Sequence, residues 1–143
     1  MNDQRPGPQA GAWSGLDRRA LVVGGLAAVA IALPLAALGQ AVLDSRSTNL
    51  AFPFLMAVLA GFATGGYVAA RRAPARPLVN GALAALGAFA AIQGLGVVRR
   101  LAAGEEVRVA RIAYAGLLAY SSGLVGALLA RRRHLGRRRT AHR

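Results

Sequence analysis

The sequence predicts an all-α, polytopic integral membrane protein with four transmembrane helices packed through small residues. Three observations predict it. Hydrophobic residues make up 55% of the 143 positions, and they fall in long runs that a soluble core of this size has no use for. Four stretches carry no charge at all: Ala20 to Leu43, Ser47 to Ala70, Pro77 to Val98 and Ile112 to Ala130, of 24, 24, 22 and 19 residues. A hydrocarbon core of about 30 Å needs roughly 20 helical residues at about 1.5 Å each, so every stretch is long enough to cross. The strict apolar–polar alternation of a barrel strand is missing, and in lipid that leaves the helix, which satisfies its own backbone.

Taken in order, residues 1–16 are polar and rich in Pro and Gly, and they read as a disordered cytoplasmic N-terminus in which Trp13 suits an interfacial anchor. The transmembrane domain covers 17–133, with spans at about 20–43, 48–70, 77–98 and 112–130, and a basic cytoplasmic tail follows over 134–143. Pro34 lies inside the first span and is expected to kink it, whereas Pro53 falls in the first turns of the second, where it is better tolerated. The first span also has the charged start, apolar middle and small-residue end of an export signal with paired arginines. Its apolar run is longer than the roughly 7 to 15 residues of such signals, so a retained span is the leading reading, and cleavage near Gly39 or Ala41 is the alternative.

Between the second and third spans the segment "RRAPAR" is a turn, because its prolines forbid helix continuation. The third loop, "RRLAAGEEVRVAR", reads as a short interfacial helix with local ion pairs around Glu105 and Glu106, which contribute little when exposed. A partner-binding epitope is the alternative there. Two adjacent glutamates without a neighbouring His or Asp make a poor metal site, and no cofactor is expected.

Charge placement sets the orientation. All 18 basic residues are arginine. Thirteen flank one side, at Arg5, Arg18, Arg19, Arg71, Arg72, Arg76 and the tail from Arg131, against five on the other, so the positive-inside bias puts both termini in the cytoplasm. The lysine-free, Ala- and Gly-rich composition suggests a GC-rich bacterial genome and hence the bacterial inner membrane.

Helices in lipid gain little from hydrophobicity when they associate, so small residues that allow close backbone approach must hold them together. Gly24, Ala28, Ala32 and Ala36 recur at steps of four in span one, as do Ala57, Gly61, Gly65 and Ala69 in span two. Spans three and four alternate steps of four and three, through Asn80, Ala84, Gly87, Ala91 and Gly94, and through Gly116, Ala119, Gly123, Gly126 and Ala130. The candidate packing glycines are therefore Gly61, Gly65, Gly87, Gly94, Gly116, Gly123 and Gly126. Polar residues mark candidate contacts: Tyr67 and Asn80 lie equally far from the second turn and should face each other or a shared neighbour, and Gln40, Gln93 and Tyr114 could form a polar cluster at the other end.

No span contains Asp, Glu, Lys, Arg or His, which argues against transporters and proton-coupled pumps. The first-span glutamate of small four-span drug exporters is missing, and so is the Phe and Thr constellation of small fluoride channels. No nucleophile–base pair, carboxylate pair or metal cluster can be assembled, so an enzyme is not expected; Ser121 and Ser122 should bond to carbonyls of their own helix.

The segments "LAGFATGGYVAARR", "NGALAAL" and "SSGLVGALLARRR" resemble the small four-span bacterial membrane proteins called YrzE-like, over about residues 55–133, through Gly61, Gly65, Gly66, Gly81, Gly123 and Gly126. What the resemblance implies is the architecture and no activity. The tail arginines Arg131, Arg132, Arg133, Arg137, Arg138 and Arg139 suit contact with anionic lipid, at about 1 kcal/mol each near an anionic surface. Nucleic acid is the weaker alternative, since no aromatic residues interleave the charges. The sequence thus suggests a structural or accessory membrane protein that associates with itself or a membrane partner, with a small oligomeric channel or solute permeation protein as the alternative.

Overall fold

A computed structural model describes residues 16–43 and 51–140, and their side chains apart from Gln40, Leu43 and residues 134–140. Within these limits the chain is all helical. Helix α1 is Arg18–Leu43, α2 is Ala51–Arg72, α3 is Pro77–Ala102 and α4 is Val109–Thr140. Each is long and apolar enough to cross a membrane. The expectations for the first 15 residues, Trp13, the first loop and the last three residues fall outside the described residues.

Local chemistry explains the ends. Asp17 caps α1: its Oδ1 accepts from the Ala20 N–H at 3.1 Å, three residues on, where an N-cap side chain reaches. α1 runs without interruption through Pro34. α2 stops at Arg72 and the chain turns through Pro74 and Ala75, so that Pro77, with no N–H to lose, opens α3. At the far end of α3, Gly104 has a φ of 71°. Its N–H donates to the Leu101 carbonyl, and that of Glu105 to the Arg100 carbonyl, the paired bonds of a Schellman cap that a left-handed glycine permits. This cap replaces the interfacial helix expected in the third loop: residues 103–108 are turn and irregular chain, and among the described residues no ion pair holds Glu105 or Glu106. α4 continues for 32 residues, carrying the helix past its apolar part into the arginine segment.

The helices run up and down. Residues of α1 meet α2 in antiparallel order, Gly24 beside Ala69, Gly61 beside Ala32 and Gly39 beside Phe54, and α3 meets α4 likewise, Gly81 beside Ala127 and Gly116 beside Phe89. α2 packs on the other three helices, and α1 also packs on α3. The interior is made of the smallest residues. Ala28, Ala32, Ala85, Ala119 and Ala127 are buried, while Leu26, Phe52, Leu95 and Leu117 face outward at more than 60% exposure. That distribution inverts a water-soluble core and suits lipid, where bulky side chains gain nothing by hiding and small ones bring backbones together.

Candidate functional site

The packing surface is built from glycines pressed against backbone. On α1 and α2, a methyl group placed on Gly65 would lie 2.5 Å from Ala28 Cβ and 2.6 Å from the Gly24 carbonyl oxygen. One placed on Gly24 would lie 2.6 Å from Ala69 Cβ, and one on Gly61 3.1 Å from the Ala32 nitrogen. The two step-of-four stripes therefore lie against each other. A second junction joins three helices. A methyl on Gly81 of α3 would lie 2.8 Å from the Gly66 carbonyl oxygen of α2 and 2.7 Å from Ala127 Cβ of α4. A methyl on Gly123 would lie 2.9 Å from the Gly81 carbonyl oxygen, and Gly66 in turn abuts the Gly123 carbonyl. Gly126 abuts the Ala63 carbonyl, and the Tyr67 nitrogen would be 2.9 Å from its added methyl.

Gly116 belongs to a different environment, since a methyl there would touch the Phe89 ring at 3.1 Å. Phe89 meets Phe62 edge to face with ring centroids 6.2 Å apart, the arrangement that aromatic quadrupoles favour. Around them, Ala32, Ala36, Leu55, Leu59 and Ala115 help line an apolar cavity of about 190 Å³.

Two of the proposed packing glycines are placed otherwise. Nothing lies within 4 Å of a methyl on Gly87 or Gly94. α3 buries Gly81, Ala84, Ala85, Ala88 and Phe89 instead, a face set by about 3.6 residues per turn. A strict seven-residue repeat drifts by about 20° per heptad on a straight helix. α1 meets α3 near the Asn80 end, where a methyl on Gly25 would lie 3.7 Å from the Ala84 carbonyl oxygen, and further along Ala32 and Ala36 share a cavity wall with Phe89 and Ile92.

Asn80 is fully buried and is the one buried polar side chain among the described residues. Its Oδ1 accepts from the Asp17 backbone N–H at 3.1 Å, and its Nδ2 donates to the Arg76 carbonyl at 2.9 Å. The amide thus ties the start of α1 to the start of α3. Tyr67 has other neighbours: the guanidinium carbons of Arg71 and Arg133 each lie 5.8 Å from its ring centroid, and it packs beside Leu78. Each such cation–π contact contributes about 0.5–1 kcal/mol when exposed. Arg131, Arg132 and Arg133 are all exposed, and Arg133 also lies over the ring of α2; the side chains of Arg137, Arg138 and Arg139 lie outside the described residues.

At the other end Gln93 is half-buried, but Tyr114 is 66% exposed on the outer face of α4, because Gly116 and Ala119 take the inner one. The expected pairing of Gln93 with Tyr114 is therefore not made. The Gln40 side chain lies outside the described ones. Ser121 and Ser122 donate to the Leu117 and Leu118 carbonyls at 2.8 Å, four residues back, and Thr64 treats Ala60 the same way at 2.9 Å.

Sequence reasoning missed the Asp17 cap, although an aspartate just before an apolar run is its usual signal. It also missed Gly66 and Gly81 as packing positions, which lay one residue off the chosen stripes. Among the described residues no three His, Cys, Asp or Glu side chains gather as metal ligands. Comparison of the chain with protein-family models, curated proteins and solved structures gives no significant match.

Proposed function

We propose that the chain is a small structural or accessory protein of the bacterial inner membrane, with both termini in the cytoplasm, that associates with itself or with another membrane protein. One observation carries the reading: the one buried polar side chain among the described residues is turned to holding the bundle together. Asn80 bonds to two backbone groups, one of them at the start of α1, and glycine backbones fill the junction of α2, α3 and α4. The exposed small face of α3 at Gly87, Ala91 and Gly94 would admit a neighbouring helix, and the exposed Arg131 and Arg132 would rest on anionic lipid. Purification from native membranes in mild detergent tests it: a stable self-association or a reproducible membrane partner is expected, and a strictly monomeric, partnerless protein defeats the reading.

A small oligomeric channel is the second reading, favoured by the cavities at the α3–α4 end. The glycine junction leaves no lumen within one copy at its level, so a path would have to run between copies. Selective flux into proteoliposomes would favour this reading over the first.

A further inference from the structure

Two hollows meet at the end of the bundle where α3 passes into α4. The first is the apolar cavity of about 190 Å³ between the helices, walled by Phe62, Phe89 and Leu59. The second, of about 610 Å³, is polar and is lined by Arg99, Arg100, Arg111 and Glu105. Ile92 and Gln93 stand in the walls of both, so the two hollows adjoin. Leu55, on the rim of the apolar cavity, is 43% exposed, which opens the cavity sideways to the surface that faces lipid.

Each half has its own chemistry. The first hollow is walled by apolar side chains apart from Gln93 and is open at one side, which suits an acyl chain. The polar hollow carries two more positive than negative charges, and α4 opens with no acidic residue in its first turn to offset them. It lies at the level where a spanning helix leaves the hydrocarbon, which is where head groups lie. A basic pocket between transmembrane helices suits an anionic head group. Gln93 stands between the two environments, able to donate and accept where an ester would pass.

We propose that this composite hollow binds one anionic phospholipid, with its phosphate on Arg99, Arg100 and Arg111 and the first part of one acyl chain in the cavity walled by Phe62 and Phe89. The arginines select the charge, and the cavity selects an attached chain over a free anion. The site is separate from the arginines that end α4, and it rests on the membrane reading of the helices rather than on which leaflet they face.

Native mass spectrometry of the full chain in detergent, titrated with single-chain lysophosphatidylglycerol or with lysophosphatidylcholine of the same chain, tests the proposal. One lysophosphatidylglycerol should bind per chain, about tenfold tighter than the choline lipid, and the combined Arg99→Gln, Arg100→Gln and Arg111→Gln variant should abolish the preference. Ala36→Leu, which fills the cavity, should weaken both lipids. Should that variant fold poorly, competition supplies the same information, since free glycerol phosphate should not displace the lipid. Equal binding of the two lipids overturns the proposal, and so does displacement by glycerol phosphate. Loss of the preference on Arg131→Gln and Arg132→Gln, with the α3–α4 arginines intact, overturns it as well.

Discussion

The two ends of the bundle are built on opposite principles. Near the α2–α3 turn, Gly66, Gly81, Gly123 and Gly126 bring three backbones into contact, and Asn80 fastens the start of α1 to the start of α3. From mid-bundle toward the α3–α4 loop, Phe62 and Phe89 wall a cavity instead, and arginines line the polar hollow that adjoins it nearer the loop. In lipid the first arrangement gains dispersion contacts and interhelical hydrogen bonds, while the second leaves volume that only a guest or a mobile side chain can use. One short chain thus combines a clasp with a hollow.

Substitutions can break the comparison or sharpen it. The largest effect is expected at the clasp: Gly126→Leu would drive a side chain into the Ala63 carbonyl, and because backbone cannot retreat, the loss should exceed the roughly 3 kcal/mol of ordinary overpacking. Size-exclusion chromatography in detergent should show loss of the monodisperse species. Phe89→Ala, in the hollow, should destabilise by about 3 kcal/mol in thermal unfolding, the low end for a buried phenylalanine, because the ring already borders open space on one side. A negligible change there would mean that the ring adds nothing to the packing.

Asn80→Ala removes the acceptor of the Asp17 N–H and should cost about 1 kcal/mol, in line with hydrogen bonds between membrane helices. Faster hydrogen exchange at the Asp17 amide would report the loss directly. The smallest effect belongs to Gly94→Leu, within about 0.5 kcal/mol for the isolated chain. If it nonetheless disrupts a complex isolated from membranes, the α3 face is the surface that a partner covers.

The fold was legible because length, missing charge and proline placement act through single residues, and lipid admits few backbone solutions. The packing faces of α1 and α2, though not their pairing, were legible for a related reason: Gly24, Ala28 and Ala32 keep one step, and so do Gly61, Gly65 and Ala69. α3 was harder. With Ala or Gly at 10 of the 17 positions from Asn80 to Gly96, small residues mark no single face, and the inward side is marked by Phe89. The Tyr67 and Asn80 environments were illegible too, because equal distance from a turn fixes depth but not rotation about the helix axis. Gly104 and its cap turned on the sign of one φ angle, for which the sequence offers only a glycine after a basic last turn.

The most direct test of the clasp compares Gly66→Ala with Gly87→Ala by thermal unfolding of the detergent-solubilised protein. A methyl at residue 66 meets the Gly123 backbone and one at residue 87 meets nothing, while alanine in a helix otherwise favours folding by about 0.5–1 kcal/mol over glycine. The account predicts changes of opposite sign, with Gly66→Ala destabilised and Gly87→Ala unchanged or stabilised. Equal shifts, or a larger loss at residue 87, would contradict it.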